Sequence, residues 1–425
     1  MQALLAGVVL LFLWPATAPG GLRVQPIDLD IREQSAQPSL AVDPAGGFIL
    51  TWQERASAQH ALHFAVLDAQ GREGRRGRIA GGSDWFLNGA DFPSLVVLDN
   101  GDWVSFWLQK TAPDTYAYTI RSVRSRDRGR HWDAPITLHR DGTDTEHGFV
   151  ALAPAGADRA QFVWLDGRHM AAAAGHAHGE GSSEHMTLRT ATLGRAGRLR
   201  EERELDALTC ACCQTDAARG SGRTVFVYRD RSPAETRDIG ALVWTRGRWS
   251  APGRVHADDW TIAGCPVNGP AIAAHGERFA VLWPTMAGGE MQLRLAQGDG
   301  EHFDPPVTLA AGAPELGRVD LVAWGAEGFL ASRVRQEADG AMVLVVDVLD
   351  GQGRSEASQR IAQRVGGFPR MARQGTVALL AWAEGGQVQG SSRVRLARLT
   401  PDGGPDSGAS GPNIAHRPRT ADGGS

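Results

Sequence analysis

Only four of the 425 residues are cysteine, and three of these fall within residues 210–213, so disulfides cannot staple the chain along its length. No long basic tract is present. The formal net charge is −4, the short arginine cluster at residues 72–78 reads as a solvated turn, and no nucleic-acid partner is expected. Charge is also missing from the first residues, which carry only the amino terminus before an apolar stretch over residues 4–14. That stretch is short for a membrane span. With Pro15 and the small Ala16, Thr17 and Ala18 behind it, it reads as a secretory signal cleaved near residues 18–21. No cysteine stands at that point, so a lipid anchor is not expected. The expectation is an exported protein, periplasmic or extracellular, with no stable membrane span after cleavage.

What remains is rich in the residues of short strands and tight turns. Hydrophobic side chains make up 42% of the sequence, enough for one or more large cores, and 53 glycines, 22 prolines and 13 tryptophans accompany them. The chain is periodic on a longer scale: a short apolar strand, a glycine turn, a second strand ending near an aromatic residue, then a polar loop. Taking Trp52, Trp107, Trp164, Tyr228, Trp283, Arg333 and Trp382 as equivalent, the spacings are 55, 57, 64, 55, 50 and 49 residues. This is the length of one four-stranded sheet with its loops, and such repeats are read before any local motif. The seventh unit has three convincing strands, and residues 22–31 supply the missing outer one, closing the ring and hiding its edges. The fold expected is therefore all-β, a β-propeller of seven four-stranded blades over residues 21–400. Residues 1–20 form the signal and residues 401–425 a disordered Gly/Pro/Ser/Asp-rich tail. The repeated tryptophans are first of all core residues.

One turn carries a motif. Ser125, Asp127, Gly129 and Trp132 follow a strand in the order Ser-x-Asp-x-Gly-x-x-Trp. Ser and Asp can bond nearby backbone donors, Gly permits a sharp turn and Trp plugs between strands, so Asp127 reads as a turn clamp and not as a catalytic acid. This pattern resembles the Asp box, or BNR repeat, of the sialidase-like (neuraminidase) superfamily, with worn copies at residues 245–249 and 298–303. The resemblance implies a propeller, for which the usual sialidase ring of six blades is the alternative to seven. It also implies an arginine triad, a Tyr nucleophile activated by Glu and an Asp acid/base. Against that pattern the chain has only Tyr116, Tyr118 and Tyr228, lacks the Arg-Ile-Pro sequence, and offers no assignable Tyr/Glu pair. No catalytic residue is assigned.

Polar groups recur where second strands end and first strands begin, positions that share one face of a propeller. Asp166, Arg168, Arg229, Asp230, Arg231, Arg237, Asp238, His147 and Asn268 are the candidates to line an axial mouth and hold a polar or anionic ligand, glycan included, through bidentate arginines. A salt-linked loop network is the competing reading. The functional alternatives are an exo-glycosidase of sialidase type, a protein-binding scaffold, and a metal-binding protein. The last rests on His169, Met170, His176, His178, His185 and Met186 in the insertion of the third unit, a donor set that would suit copper, or zinc without the thioethers. Cys210, Cys212 and Cys213 precede the fourth unit and Cys265 the fifth. A disulfide from Cys265 to one of the other three is expected to lock adjacent blades, with a second bond conceivable among those left.

Overall fold

The computed structural model describes residues 21–56, 59–170, 185–385 and 392–402. Seven antiparallel sheets follow one another along the chain, six of them four-stranded and the fourth with a short fifth segment, as a seven-bladed propeller requires. The innermost strands are Ser35–Val42, Leu95–Val97, His147–Pro154, Asp216–Arg219, Ala271–His275, Glu315–Trp324 and Val365–Gln374. Each pairs outward with the next strand in sequence. The seventh blade takes its outer strand from the other end of the chain: Leu22–Ile27 runs antiparallel to Arg393–Pro401, from Leu22 opposite Pro401 to Ile27 opposite Leu396. The ring is thus closed by segments from opposite ends of the chain, and the seventh blade has four strands like its neighbours. Seven blades, and not six, account for every repeat.

The core is divided as the ring is. Seven hydrophobic clusters lie among the described residues, each built mainly from two neighbouring blades. The second strands supply their centres because both faces of each sheet are covered; Phe48, Leu50 and Trp52, for example, are all fully buried. Trp52, Trp164, Tyr228 and Trp283 occupy the equivalent buried sites. Arg333 stands at the same place in blade six, where Asp347 (2.7 Å) and Glu315 (2.6 Å) neutralise it. Buried carboxylates and amides also tie blades together. Asp91, Asp216 and Asp320 each accept a hydrogen bond from the inner strand of the following blade, at Phe149, Ile272 and Met371. Gln214 accepts from Gly269 N–H and donates to the Ala90 carbonyl.

The Ser125 turn has the geometry its residue types suggest. Ser125 Oγ donates to Asp127 Oδ1 (2.9 Å) and accepts from Gly129 N (2.7 Å), while Asp127 also accepts from His131 N (2.8 Å). Gly129 has φ +82°, and Trp132 packs near Phe64 and Trp103. This turn joins third and fourth strands. Antiparallel alternation puts it on the face opposite the loops that enter first strands, so it belongs to the scaffold.

Candidate functional site

Because every inner strand starts on the same face, the segments preceding them converge around the axis. Residues 34–38, 87–92, 266–268, 316–318 and 366–368 line a cavity of about 560 Å³ there, with residues 53–55 closing one side. Its wall is partly aromatic. The Phe92 and Phe368 rings lie 6.0 Å apart; the Arg370 guanidinium is 5.5 Å from the Phe92 ring centre and that of Arg318 is 5.9 Å from the Phe368 ring centre. Arg370 continues into the axial channel, where it faces Asp320 (3.6 Å) and Asp216 (3.7 Å) and is neutralised by them.

Arg318 differs from Arg370. Its one polar contact among the described residues is a long one to the Gly367 carbonyl (3.5 Å), and it forms no ion pair there. Burial pulls its pKa down from the ordinary arginine range, as expected of a cation desolvated without a counter-charge. Gln53 lines the same cavity, is only 4% exposed, and has neither its amide nitrogen nor its amide oxygen hydrogen-bonded among the described residues. Glu54, the carboxylate on this wall, is already engaged by Trp52 Nε1 (2.8 Å) and His63 (3.4 Å).

The residues expected at the mouth separate into groups. Asn268 lines the cavity. His147, Asp166 and Arg168 come together further out, with His139, Asp141 and Glu202. Arg168 is 2.6 Å from Asp166, 3.0 Å from Glu202 and 3.3 Å from Asp141. The rings of His139 and His147 stack at 3.6 Å, and Asp141 Oδ2 is 2.7 Å from His139 Nδ1 and 3.3 Å from His147 Nε2. Burial alone would lift the Asp141 carboxyl, but bonds from His139, His147 and Thr143 outweigh it and hold the group well below the carboxylate range. Burial likewise opposes charge on His147, yet Asp141 and Asp166 raise its pKa. Arg229 donates to the carbonyls of Arg237 (2.6 Å), Pro284 (2.7 Å) and Asn268 (2.9 Å), which makes it a joint between blades. Arg231 and Arg237 share Glu235, and Asp238 accepts from the backbone of Asp259 and Trp260. Asp230 lies beside Asp206 and Asp238; burial and those charges lift its carboxyl to about 6.

Two clusters bring together donor atoms of the types that hold metals: His139, Asp141 and His147, and Cys210, Cys212 and Cys213. In the first, the Arg168 guanidinium already balances Asp141 and Asp166, so the residues fit an internal ion-pair network better than a divalent ion. In the second, Cys212 is bonded to Cys265 across 53 residues with a Cα–Cα distance of 6.2 Å, which removes it as a thiolate donor while the bridge stands. The expected lock between blades four and five is therefore the Cys212–Cys265 pair. Of the His/Met insertion, His176 and His178 lie outside the described residues. His169 and His185 stack at 4.9 Å, Met170 is partly buried and Met186 is buried in the core between blades three and four.

Sequence reasoning missed a tyrosine–glutamate pair. Tyr118 OH is 2.8 Å from Glu146 and 3.0 Å from Asp91. Burial pushes Asp91 up to about 7 and Glu146 up to about 8, so the two carboxyls sit where at most one of them ionises readily near neutrality. Sequence reasoning also missed Phe92, Phe368, Gln53 and Arg318. A usable signal existed for the two phenylalanines, since each directly precedes a repeat proline, Pro93 just before the second inner strand and Pro369 at the register shift within the seventh.

No family model matches the sequence, and no curated protein matches it. Among solved structures, the fold is similar to that of a protein described as of unknown function from Dyadobacter fermentans DSM 18053, with a TM-score of 0.53 at 13% identity over 90% of this chain and 99% of that one. Weaker likenesses include the α-L-arabinofuranosidase Arb93A from Fusarium graminearum (TM-score 0.49, 10% identity, 88% and 97% covered). The NanB sialidase from Streptococcus pneumoniae, a K499G mutant, gives a TM-score of 0.46 at 8% identity, with 89% and 94% covered. At these identities the likeness is one of fold, and the last two superpose too loosely to bear on chemistry. The chain is a seven-bladed β-propeller.

Proposed function

We propose that the protein is an exported binding propeller whose axial mouth takes an anionic ligand of carboxylated-sugar type. The observation that carries this reading is the coincidence, in one cavity, of an arginine without an ion-pair partner and a buried glutamine with both amide atoms unbonded among the described residues. Desolvated polar groups of this kind cost stability unless something pairs with them. Arg318 would take a carboxylate, Phe92 and Phe368 would cover the less polar face of the sugar, and the Gln53 amide, closed to solvent in the free protein, would turn out of the wall to meet ring hydroxyls on binding. Asn268, on the neighbouring loop of blade five, supplies a further polar contact. The remaining residues first considered for the mouth, from Asp166 to Asp238, hold the loops that shape it.

Calorimetric titration with N-acetylneuraminic acid, glucuronic acid and neutral galactose tests the reading. Binding of either acid but not of galactose is expected, with a loss on the order of tenfold or more in Arg318→Gln, since a hydrogen bond to a charged group contributes about 1.5–3 kcal/mol. Equal affinities for acid and neutral sugar, or an unchanged Arg318→Gln, would contradict it.

The hydrolytic alternative would draw on Tyr118 and Glu146. Tyr118 is fully buried against Asp91, so a substrate has no approach to its hydroxyl, and the binding reading is preferred.

A further inference from the structure

The four cysteines are arranged in depth. Cys265 is exposed, its bridge partner Cys212 is half-buried, and the two remaining thiols, Cys210 and Cys213, are buried at 0% and 1% exposure. The Sγ atoms of Cys210 and Cys213 are 3.0 Å apart, inside ordinary sulfur contact distance. All three sulfurs of Cys210, Cys212 and Cys213 lie within 4.8 Å of one another. A buried dithiol in C-x-x-C spacing therefore stands directly behind a solvent-facing disulfide. Two cationic side chains, Arg229 and Arg237, are near enough to act on Cys210 electrostatically.

We propose that these residues form a thiol–disulfide exchange site, in which the buried Cys210/Cys213 pair passes two electrons through the Cys212–Cys265 bond to an external low-molecular-weight disulfide. In the first step the Cys210 thiolate attacks Cys212 Sγ. The Cys210–Cys212 bond forms, the Cys212–Cys265 bond breaks, and Cys265 leaves as a thiolate. Cys213 gives up its proton to that thiolate and attacks Cys210 Sγ, forming Cys210–Cys213 and releasing Cys212. The disulfide has moved inward, and the outer pair is now a dithiol. Cys265 then attacks the external disulfide and expels one thiol. Attack by Cys212 on Cys265 expels the second thiol and restores the outer bridge. The inner pair is oxidised, the external disulfide is reduced to two thiols, and no further oxidant is needed.

The surroundings favour this direction of attack. The contact with Cys213 lowers the Cys210 thiol to about 6; burial opposes this, while the Cys212 N–H and the charges of Arg237 and Arg229 support it. Burial and the Cys210 contact push Cys213 well above the ordinary thiol range. Cys210 is thus the attacking sulfur and Cys213 the resolving one. Pro266, Val267 and Asn268, which follow Cys265, line the mouth cavity, so the outer bond opens and closes beside the ligand site.

The test uses the full chain, with its Cys212–Cys265 bond intact, exposed to oxidised glutathione. Thiols are alkylated at timed intervals and the bonds mapped by mass spectrometry. The wild type is expected to lose two thiols per chain, gain the Cys210–Cys213 bond and release reduced glutathione. In Cys212→Ser/Cys265→Ser, with its circular dichroism checked against wild type, oxidation of the buried pair is expected to slow by about tenfold or more, because the relay is removed and the route left is direct attack at a buried sulfur. Persistence of both buried thiols in the wild type overturns the proposal, a result that needs no variant to fold. Equal oxidation rates in the wild type and the double variant also overturn it, and so does wild-type protein that contains both bonds and releases neither to dithiothreitol.

Discussion

At the scale of single residues, the buried polar groups divide into those answered by a partner and those that are not. Arg333 sits where its repeat mates are aromatic, yet Asp347 and Glu315 answer its charge. Asp91, Tyr118 and Glu146 are hydrogen-bonded to one another but remain short of positive charge, and burial raises both carboxyls. A carboxyl whose folded pKa lies above its unfolded value favours the fold while both states are protonated. That contribution declines once the unfolded chain begins to ionise and is gone above the folded pKa. Stability measured by urea unfolding is therefore expected to fall between about pH 4 and about pH 8, and Glu146→Gln is expected to flatten the fall. A wild-type profile that rises across this interval would show that the carboxyls are charged and paired in the fold. Little of this was legible in the sequence. Tyr118 and Glu146 are 28 positions apart and Asp91 lies 27 before Tyr118, and only the stacking of blades two and three brings them together. The arginines first assigned to the mouth show the converse. Carbonyls and Glu235 engage the guanidinium groups of Arg229, Arg231 and Arg237, although Arg237 Nε has no partner among the described residues.

At the scale of the strand and turn, sequence and structure agree closely because local chemistry and repeat spacing point the same way. The Ser125 turn is the clearest case. Its hydroxyl, carboxylate and glycine each do what their residue type suits, and Trp132 reaches the core cluster between blades one and two. Gly129 has φ +82°, and a Cβ there would lie 2.8 Å from the Trp103 ring. Gly129→Ala combines left-handed backbone strain with a steric clash, so a loss of about 1–3 kcal/mol is expected in denaturant unfolding, with ligand binding at the mouth unchanged. A neutral Gly129→Ala would mean that the turn is not a structural clamp. The outer strand of blade seven was legible for a related reason. Residues 22–27 had no sheet of their own, and the last unit lacked a strand.

At the scale of the whole molecule, a ring of seven blades turns many unrelated loop segments into one surface. The inner-strand entries of blades one, two, five, six and seven meet at a cavity, although they are spread over more than 300 positions of the chain. Composition and periodicity predict the ring, since seven repeats, six of them centred on an aromatic residue, need a closed arrangement to bury both faces of every sheet. They do not predict which polar side chains remain unanswered once it closes. That depends on side-chain direction within each loop, and it is why Arg318 and Gln53 emerge only from the fold. The central claim is that these two mark a ligand site on the axis. Hydrogen exchange measured with and without saturating N-acetylneuraminic acid tests it most directly. The account predicts slowed exchange in peptides covering residues 49–55, 87–92, 316–318 and 366–368, and none at the Ser125 turn on the opposite face. Protection confined to residues 229–238, or absent from the mouth, would contradict it.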